Sequence, residues 1–429
     1  MFATLMAAFT VTIKLGIPVF LTMGIATFVA FLTNPAIAMT QIPQLIFRGL
    51  NSFPVMAIPL FIMAADIMTE GKLSDLLIKM CDDFLGHVTG GLGNVSVVMS
   101  MLFGAISGSA MACAAGPGKL VMFMMRDQGY DKYYSGALTA VTAAMGMLIP
   151  PSIPMVIYSL SDGRTSTIGL FIAGYIPGFM AGMILIAANM IISRKHGYKF
   201  KDEKAPWKNR IKSLVRAIPA LLMPVIIIGF TVSGITTPTE AASVAVFYSI
   251  MAGLFITRSL TFKLLYKAIV MSAVVSAAIL MIVGMGALFS WVLTFLRVPQ
   301  MVAGYISVIT TNPVIILFLI AAFVIVIGMF LDPIPAVMIL GPIASAIGAD
   351  FGIHPLHTAM VVIMCISIGM LTPPLAPLLF VTSSIGKLRL EKLIVATLPL
   401  LTTLFIVLVF VILFPPLTTW LPGLLGFGS

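Results

Sequence analysis

Two stretches decide the fold of this chain: Met145-Gly-Met-Leu-Ile-Pro-Pro-Ser-Ile-Pro154 and, 223 residues further along, Ile368-Gly-Met-Leu-Thr-Pro-Pro-Leu-Ala-Pro377. They share the frame G-M-L-x-P-P-x-x-P, and each lies in apolar sequence. Proline has no N–H to donate to the carbonyl four residues earlier, so it opens a helix. We therefore expect two broken helices, in which the carbonyls four residues before each proline are released.

These released carbonyls belong to Gly146 and Met147 in the first stretch and to Gly369 and Met370 in the second. Inside a membrane they have to line a cavity or bind a ligand, because an unpaired polar group in lipid costs several kcal/mol. Broken helices at matched positions of two halves are the best sequence indication of a transporter's ion and substrate site. The alternative is two proline kinks that only shape helix packing.

The composition is that of a helical membrane protein. The chain has 429 residues, of which 60% are hydrophobic and 9% are charged. Residues 268–296, 298–331 and 351–386 contain no Asp, Glu, Lys or Arg. Runs of this length can cross the ~30 Å hydrocarbon core of a bilayer. We therefore expect an all-α polytopic membrane protein.

The net charge of +10 indicates topology rather than a nucleic-acid partner. Nine of the 24 basic residues lie in Arg194–Arg216, and the positive-inside rule makes this loop cytoplasmic. No aromatic platform accompanies the loop, so we expect no nucleic acid. Cys81, Cys113 and Cys365 have neither metal-ligand spacing nor a disulfide framework.

Both halves of the chain predict the same order of elements. Residues 90–126 are expected to form two half-helices that turn inside the membrane, followed by a broken crossing over 134–160. Residues 298–349 and the broken crossing over 354–385 repeat this order. The predicted interruptions are 104–110 and 116–118 in the first half, and Asn312-Pro313, Asp332–Pro335 and Gly341-Pro342 in the second.

The remaining spans fix the predicted topology. Counting from a cytoplasmic 194–216, the first broken crossing runs from inside to outside and the second from outside to inside. The two repeats are therefore inverted, and the uncharged C-terminal tail is periplasmic. The spans used in this count are 16–33, 52–69, 167–193, 214–232, 237–256, 268–296 and 393–414, with amphipathic segments at 70–85 and 258–267.

Ser107-Gly-Ser109 occupies the turn between the first pair of half-helices. Small residues allow the backbone to approach closely, and the hydroxyls and helix-end carbonyls are hard oxygen ligands for an alkali cation. The alternative is helix packing, because Gly104 and Gly108 form a GxxxG motif.

Asp332 is the one acidic residue between Glu240 and Asp350. A carboxylate inside the membrane is a functional hypothesis by default, as an ion ligand or a proton carrier. The alternative is an N-cap for a helix that begins at Pro333, and both roles can hold at once. By contrast, Thr237-Pro-Thr-Glu240 fits a capping box and is expected to be structural.

Little in the sequence supports an enzyme. His87, His196, His354 and His357 form no i, i+4 pair and no H-E-x-x-H motif, so we expect no metal centre of that type. An aspartyl enzyme would need a second buried aspartate facing Asp332, and no P-loop for ATP is present. Coupling therefore has to come from an ion gradient or from another subunit.

With these residues in view, the chain resembles the large membrane subunit of tripartite ATP-independent periplasmic (TRAP) transporters over essentially its whole length. The resemblance depends on the paired motifs taken together. They are Gly16-Ile-Pro-Val19, Gly104-Ala-Ile-Ser-Gly-Ser109, Ile149-Pro-Pro-Ser152, Thr237-Pro-Thr-Glu-Ala-Ala242 and Gly369-Met-Leu-Thr-Pro-Pro374.

The resemblance implies an elevator mechanism in the bacterial inner membrane. A mobile transport domain would comprise 87–163 and 311–386, with 1–86, 164–310 and 387–429 as scaffold. Family members use Na⁺ to import organic acids delivered by a periplasmic substrate-binding protein. A small four-helix membrane subunit, expected here as a separate chain, would extend the scaffold. Overall likeness favours a sialic-acid-type or C4-dicarboxylate substrate.

The resemblance also implies two Na⁺ sites and a substrate site. Helix N-termini would supply positive dipole ends for the substrate carboxylate. The implied residues are Ser107, Gly108, Ser109, Gly146, Ile149 and Pro150 for the first Na⁺, Asp332, Pro333, Gly369, Thr372 and Pro373 for the second, and Ser109, Pro151, Ser152, Pro335 and Pro374 for the substrate.

Two other interpretations stay open at this point. One is an ion-coupled anion carrier that works alone, without a binding protein. The other belongs to a different class: a membrane-embedded enzyme, or an ion-translocating subunit of a larger complex.

Overall fold

The computed structural model describes residues 1–33, 38–198 and 204–427, and over these ranges it consists of helices and loops without a strand. Residues 199–203, in the predicted cytoplasmic loop, lie outside the described residues. Within the described part, seven helices are long and apolar enough to cross a membrane. The prediction of an all-α polytopic membrane protein is confirmed.

In the first half, a 3₁₀ turn over Phe53–Met56 precedes the fourth helix, and a π-helical turn over Ala114–Gly118 joins the seventh to the eighth. The helices are α1 (Phe2–Lys14), α2 (Val19–Leu32), α3 (Gln41–Leu50), α4 (Ala57–Glu70), α5 (Leu73–Leu85), α6 (Gly91–Ser107), α7 (Ala110–Cys113), α8 (Lys119–Asp127), α9 (Lys132–Met145), α10 (Ile153–Asp162) and α11 (Thr167–His196).

In the second half, several helices begin at a proline, whose fixed φ suits the first helical position and whose missing N–H is not needed there. The helices are α12 (Trp207–Val232), α13 (Pro238–Met251), α14 (Phe262–Phe295), α15 (Val298–Ile309), α16 (Pro313–Gly328), α17 (Pro333–Asp350), α18 (Pro355–Gly369), α19 (Pro377–Gly386), α20 (Leu390–Leu413) and α21 (Pro416–Leu424).

The predicted hairpins and broken crossings are present in both halves. The first hairpin is α6 with α7 and α8, and the second is α16 with α17. The first broken crossing is α9 and α10, separated by residues 146–152, and the second is α18 and α19, separated by 370–376. The capping box is confirmed as well, since Glu240 N donates to Thr237 Oγ1 at 3.3 Å and Thr237 N to Glu240 Oε2 at 2.8 Å.

Two predicted boundaries are wrong. The segment 258–267 is not a separate surface element, because α14 begins at Phe262 and contains neither glycine nor proline before Gly284. The predicted interruption at Gly341-Pro342 does not break α17. Here α17 packs closely on α10, since a Cβ built on Gly341 would lie 3.3 Å from the Tyr158 ring, and this packing holds the helix together across the missing hydrogen bond.

The helices pack as two groups around the breaks. In one group α14 lies against α2, α3 and α4, and α13 lies against α4 and α12. The other group contains both hairpins and both broken crossings, together with α11 and α20. The helix α14 also contacts α17, so it forms the boundary between the groups.

Two charged side chains join one repeat to the other inside the second group. On the second arm of the first hairpin, Arg126 Nη1 donates to the carbonyl of Gly386 at 3.0 Å. Gly386 ends α19, so the guanidinium lies at the negative end of that helix. At the end of α10, the Asp162 carboxylate accepts the hydroxyls of Ser345 on α17 and of Thr165. The contacts of Arg126 with Gly386 and of Asp162 with Ser345 each link a hairpin to the broken crossing of the other repeat.

We expect Arg126→Met to lower the free energy of unfolding by about 1.5–3 kcal/mol, because a hydrogen bond from a charged donor is lost. Thermal unfolding of the purified protein in detergent measures the change. The matched control is Lys119→Met, at the exposed start of the same helix α8, which should leave the unfolding temperature unchanged. Equal unfolding temperatures for both variants would contradict a stabilising role for the Arg126 contact.

Candidate functional site

The tips of both hairpins and the two breaks meet at one cavity of about 270 Å³. The two hairpin tips contribute seven of its lining residues, and one face of α14 forms its wall. The lining residues are Gly108, Ser109, Ala110 and Met111 of the first tip, Met147, Ile153 and Pro154 of the first broken crossing, Asp332, Pro333 and Ile334 of the second tip, Met370 of the second break, and Val275, Ile279 and Ile282 of α14.

The first hairpin tip is fixed directly on the first break. Gly108 ends α6 with a φ of +59°, a left-handed conformation that favours glycine. Its carbonyl accepts the N–H of Ile153 at 3.2 Å, and a Cβ at this position would lie 2.7 Å from the carbonyl oxygen of Pro151. Ser109 then caps α7, with its Oγ accepting from Ala112 N at 3.4 Å.

The second hairpin tip presents a carboxylate at the equivalent place, since Asp332 lies 223 residues after Ser109. Asp332 occupies the N-cap position of α17, but its side chain makes no capping hydrogen bond. The side chain is exposed and lines the cavity. The N-cap position predicted for Asp332 is therefore confirmed, while the carboxylate itself stays available to a ligand.

A glycine-to-glycine contact joins each hairpin to the break of its own repeat. A Cβ on Gly104 would lie 2.5 Å from the Cα of Gly146, and a Cβ on Gly369 would lie 2.7 Å from the carbonyl carbon of Gly328. The GxxxG alternative is thus half correct: Gly104 packs against a neighbouring backbone, while Gly108 forms the tip. In both repeats the hairpin backbone touches the broken helix next to the prolines.

Several released carbonyls find partners within the protein. Met147 O accepts from Ser152 Oγ at 2.7 Å, and Met370 O accepts from Leu378 N at 3.3 Å. Gly369 O accepts from Thr372 N at 3.0 Å. For these carbonyls a nearby hydroxyl or N–H replaces the missing donor, but a carbonyl oxygen has two lone pairs, so each can still face a ligand. Met147 and Met370 also line the cavity, as expected. Both Pro-Pro bonds, 150–151 and 373–374, are cis.

The cavity brings together four of the predicted site residues: Gly108, Ser109, Asp332 and Pro333. The others are placed around it. Ser107 is buried, with its Oγ 3.4 Å from the N atom of Ser109 and 3.6 Å from Cys113 Sγ. The remaining predicted residues do not line the cavity: Gly146, Ile149, Pro150, Pro151, Ser152 and Pro335 are buried, Gly369 is buried, Thr372 and Pro373 are half-buried, and Pro374 is exposed.

Sequence reasoning missed the wall formed by α14. Val275, Ile279 and Ile282 lie on one helical face, at spacings of four and three residues. The run 268–296 is apolar all round, so its period gave no indication of which face meets the cavity.

A second omission is Asp66, a carboxylate within the predicted span 52–69. Its Oδ2 accepts from Ser272 Oγ of α14 at 2.7 Å. The charge within an apolar run was the available signal. One turn away, Glu70 Oε1 and Lys267 Nζ form an ion pair at 2.8 Å. These contacts hold the start of α14 on α4, outside the cavity.

Among the described residues, no group of three His, Cys, Asp or Glu side chains could hold a metal ion. A transition-metal centre would need such a group. An alkali cation is bound instead by carbonyl, hydroxyl and carboxylate oxygens, which are the polar groups that the tips supply.

Comparisons with known proteins agree on one family. Residues 6–417 match the family described as DctM, the DctM component of tripartite ATP-independent periplasmic transporters. The chain is 37% identical to the sialic acid TRAP transporter large permease protein SiaM of Vibrio cholerae, over 90% of both chains. It is 31% identical to the C4-dicarboxylate TRAP transporter large permease protein DctM of Rhodobacter capsulatus, over 96% of both.

Among solved structures, the fold is similar to that of the YdaH transporter of Alcanivorax borkumensis. The TM-score is 0.63, and the match covers 89% of this chain and 88% of YdaH. At 15% sequence identity this similarity concerns the fold alone.

Proposed function

Because the chain belongs to the DctM component family of tripartite ATP-independent periplasmic transporters, we propose that it is the large membrane subunit of a Na⁺-coupled importer of an organic acid. Family membership makes it a multi-pass subunit of a secondary transporter. The observation that supports ion coupling best is the cavity where both hairpin tips meet, with Asp332 as the one charged residue among those described in its lining.

In this proposal the two Na⁺ ions bind where a hairpin tip touches a break. The first ion binds at Ser107–Ser109 and the backbone around Gly146 and Pro150, and the second at Asp332 and the backbone around Gly369 and Thr372. The Gly104–Gly146 and Gly328–Gly369 contacts support this assignment, because they bring the oxygens of both elements close together. Binding of an ion would then fix each tip on its broken helix.

We further propose that the second group of helices moves as a unit, as in an elevator. We include α11 and α20 in this unit instead of in the scaffold, because α11 packs on α6 and α18, and α20 packs on α9 and α18. The cross-repeat contacts of Arg126 and Asp162 favour rigid movement of the unit. The scaffold is then formed by α1 to α4 and α12 to α14, with α5 between the two groups.

The proposed partners are a small membrane subunit and a periplasmic substrate-binding protein, as the name of a tripartite system implies. The proposed location is the bacterial inner membrane, with 194–216 cytoplasmic, the C-terminus periplasmic and the two repeats inverted. Since two relatives are named for sialic acid and for C4-dicarboxylates, these acids are the first to test. An enzymatic role is not part of the proposal.

The test is uptake of radiolabelled organic acids into proteoliposomes that contain this chain, its small subunit and its binding protein. We expect uptake to require an inward Na⁺ gradient and to stop when choline replaces Na⁺. Omitting the binding protein separates the proposal from the lone-carrier alternative, which predicts undiminished uptake. Uptake that is indifferent to Na⁺ would contradict the coupling ion.

A further inference from the structure

We infer, on the basis of the proposed function, that the cavity selects a small monocarboxylate with an apolar body, and that it disfavours polyhydroxylated acids and dicarboxylates. The charges, the hydrogen-bond donors, the apolar wall and the size of the cavity all favour such a substrate.

The charges of the lining favour a single carboxylate on the substrate. Within the described part of the chain, no Lys, Arg or His lines the cavity, and the one charged side chain, Asp332, is an anion. A substrate carboxylate beside Asp332 therefore needs a bound cation, because two like charges at close range repel one another. A second carboxylate on the substrate would require a further positive partner, and none of these lining side chains provides one.

The lining also offers few hydrogen-bond donors. Of the lining residues, Pro154 and Pro333 carry no N–H, and neither does Pro335 next to the lining, although each lies in the first turn of a helix that begins at the cavity. The N–H of Ile153 already donates to Gly108 O. Among the described lining side chains, the Ser109 hydroxyl is the one hydrogen-bond donor.

The N–H of Ile334 is the main-chain donor at the start of α17, because Pro333 and Pro335 flank it and Ala336 N already donates to Asp332 O at 3.1 Å. At the first tip, the N–H groups of Ala110 and Met111 lie in the first turn of α7, where a helix offers them no internal acceptor. With Ile334 N and the Ser109 hydroxyl, the described lining therefore offers four donors, which suffice for a carboxylate and one neighbouring polar group. It cannot satisfy a chain of hydroxyls, and each added hydroxyl without a partner should lower affinity by about a hundredfold or less.

The rest of the surface suits a hydrocarbon body. Val275, Ile279 and Ile282 form the wall on α14, and Met111 lies on the first tip. Methionine is unbranched and polarisable, so it adapts to irregular apolar shapes. At about 270 Å³ the cavity falls just below the roughly 300–1,000 Å³ typical of sites for drug-sized ligands. A branched aliphatic or small aromatic acid matches both properties.

The experiment measures binding to the purified full-length chain by thermal unfolding, in Na⁺ and in choline. The probes are 4-methyl-2-oxopentanoate, phenylpyruvate, succinate and N-acetylneuraminate. We expect the two monocarboxylates to stabilise the protein in Na⁺ at concentrations at least tenfold lower than the other two acids, and no acid to do so in choline. N-acetylneuraminate or succinate acting at the lowest concentration would overturn the inference, and so would no stabilisation by any acid.

A variant of the wall provides a second measurement. Ile282→Asn places an amide on the cavity face. It should reduce the ratio of the stabilising concentrations of N-acetylneuraminate and the monocarboxylates by tenfold or more. The matched control is Ile269→Asn, the same change on a part of α14 that does not line the cavity, and it should keep the preference. Equal effects of the two variants would overturn the assignment of this wall to the substrate.

The outcomes also separate this inference from the proposed function. Na⁺-dependent binding of a polyhydroxylated acid refutes the inference and leaves Na⁺ coupling intact. Monocarboxylate binding of equal strength in Na⁺ and choline supports the inferred substrate class but contradicts Na⁺ coupling.

Discussion

Replacing Asp332 by asparagine should reduce Na⁺-driven uptake by a hundredfold or more. The substitution keeps the size of the side chain and removes its charge, so a bound cation loses its one anionic partner among the described lining residues. Two unit charges at about 4 Å and an effective dielectric constant of about 20 attract by about 4 kcal/mol. Since about 1.4 kcal/mol corresponds to a factor of ten, a hundredfold loss of uptake requires about 2.8 kcal/mol, which is less than this attraction.

The measurement is the initial uptake rate as a function of Na⁺ concentration. If Asp332 binds the ion, the variant needs far more Na⁺ for half-maximal uptake, while its unfolding temperature in choline stays that of the wild type. The control is Asp350→Asn, at the opposite, exposed end of the same helix α17, which should keep the wild-type Na⁺ dependence. Wild-type kinetics in the Asp332 variant would exclude its carboxylate as a ligand.

Replacing Gly108 by alanine should destabilise the protein by about 3 kcal/mol and lower uptake by at least tenfold. An alanine in the left-handed region costs about 1–2 kcal/mol. At Gly108 the added Cβ would also lie 2.7 Å from Pro151 O and 2.9 Å from Ile153 N. The tip would therefore have to move away from the first break, and Ile153 N would lose its partner, Gly108 O.

Gly352→Ala isolates the conformational part of this effect. Gly352 has a φ of +69°, close to that of Gly108, but no atom lies within 4 Å of a Cβ built there. We expect it to destabilise the protein by about 1–2 kcal/mol and to leave the uptake rate per folded protein unchanged. Thermal unfolding and uptake measured on both variants compare the two. Equal losses of stability and uptake in the two variants would mean that the contact between the tip and the break contributes to neither.

The sequence predicted those parts of the site that depend on local backbone chemistry. A double proline removes two consecutive helical hydrogen bonds, and glycine readily adopts a positive φ, so the two breaks and the turn at Gly108 were visible without a structure. Asp332 was also found from the sequence, because burying a carboxylate within a membrane span costs free energy and such residues are usually functional.

The parts that were missed depend on which elements become neighbours. The wall residues of α14 belong to a run that is apolar on every side, and only the contact of α14 with α17 decides which face meets the cavity. The fate of the released carbonyls was also hidden. Ser152 supplies a hydroxyl to Met147 O in the first repeat, but the equivalent position is Leu375 in the second, where Leu378 N donates to Met370 O instead.

The position of α14 has an evolutionary consequence. The side chains that would recognise the apolar body of the substrate lie on a helix separate from the tips and breaks that would hold the ions, and Asp66 and Glu70 anchor α14 to α4 on the N-terminal side of these side chains. A few substitutions along α14 could therefore change the substrate specificity of such a transporter and leave its ion-binding sites unchanged. Divergence among paralogues should therefore concentrate on that face.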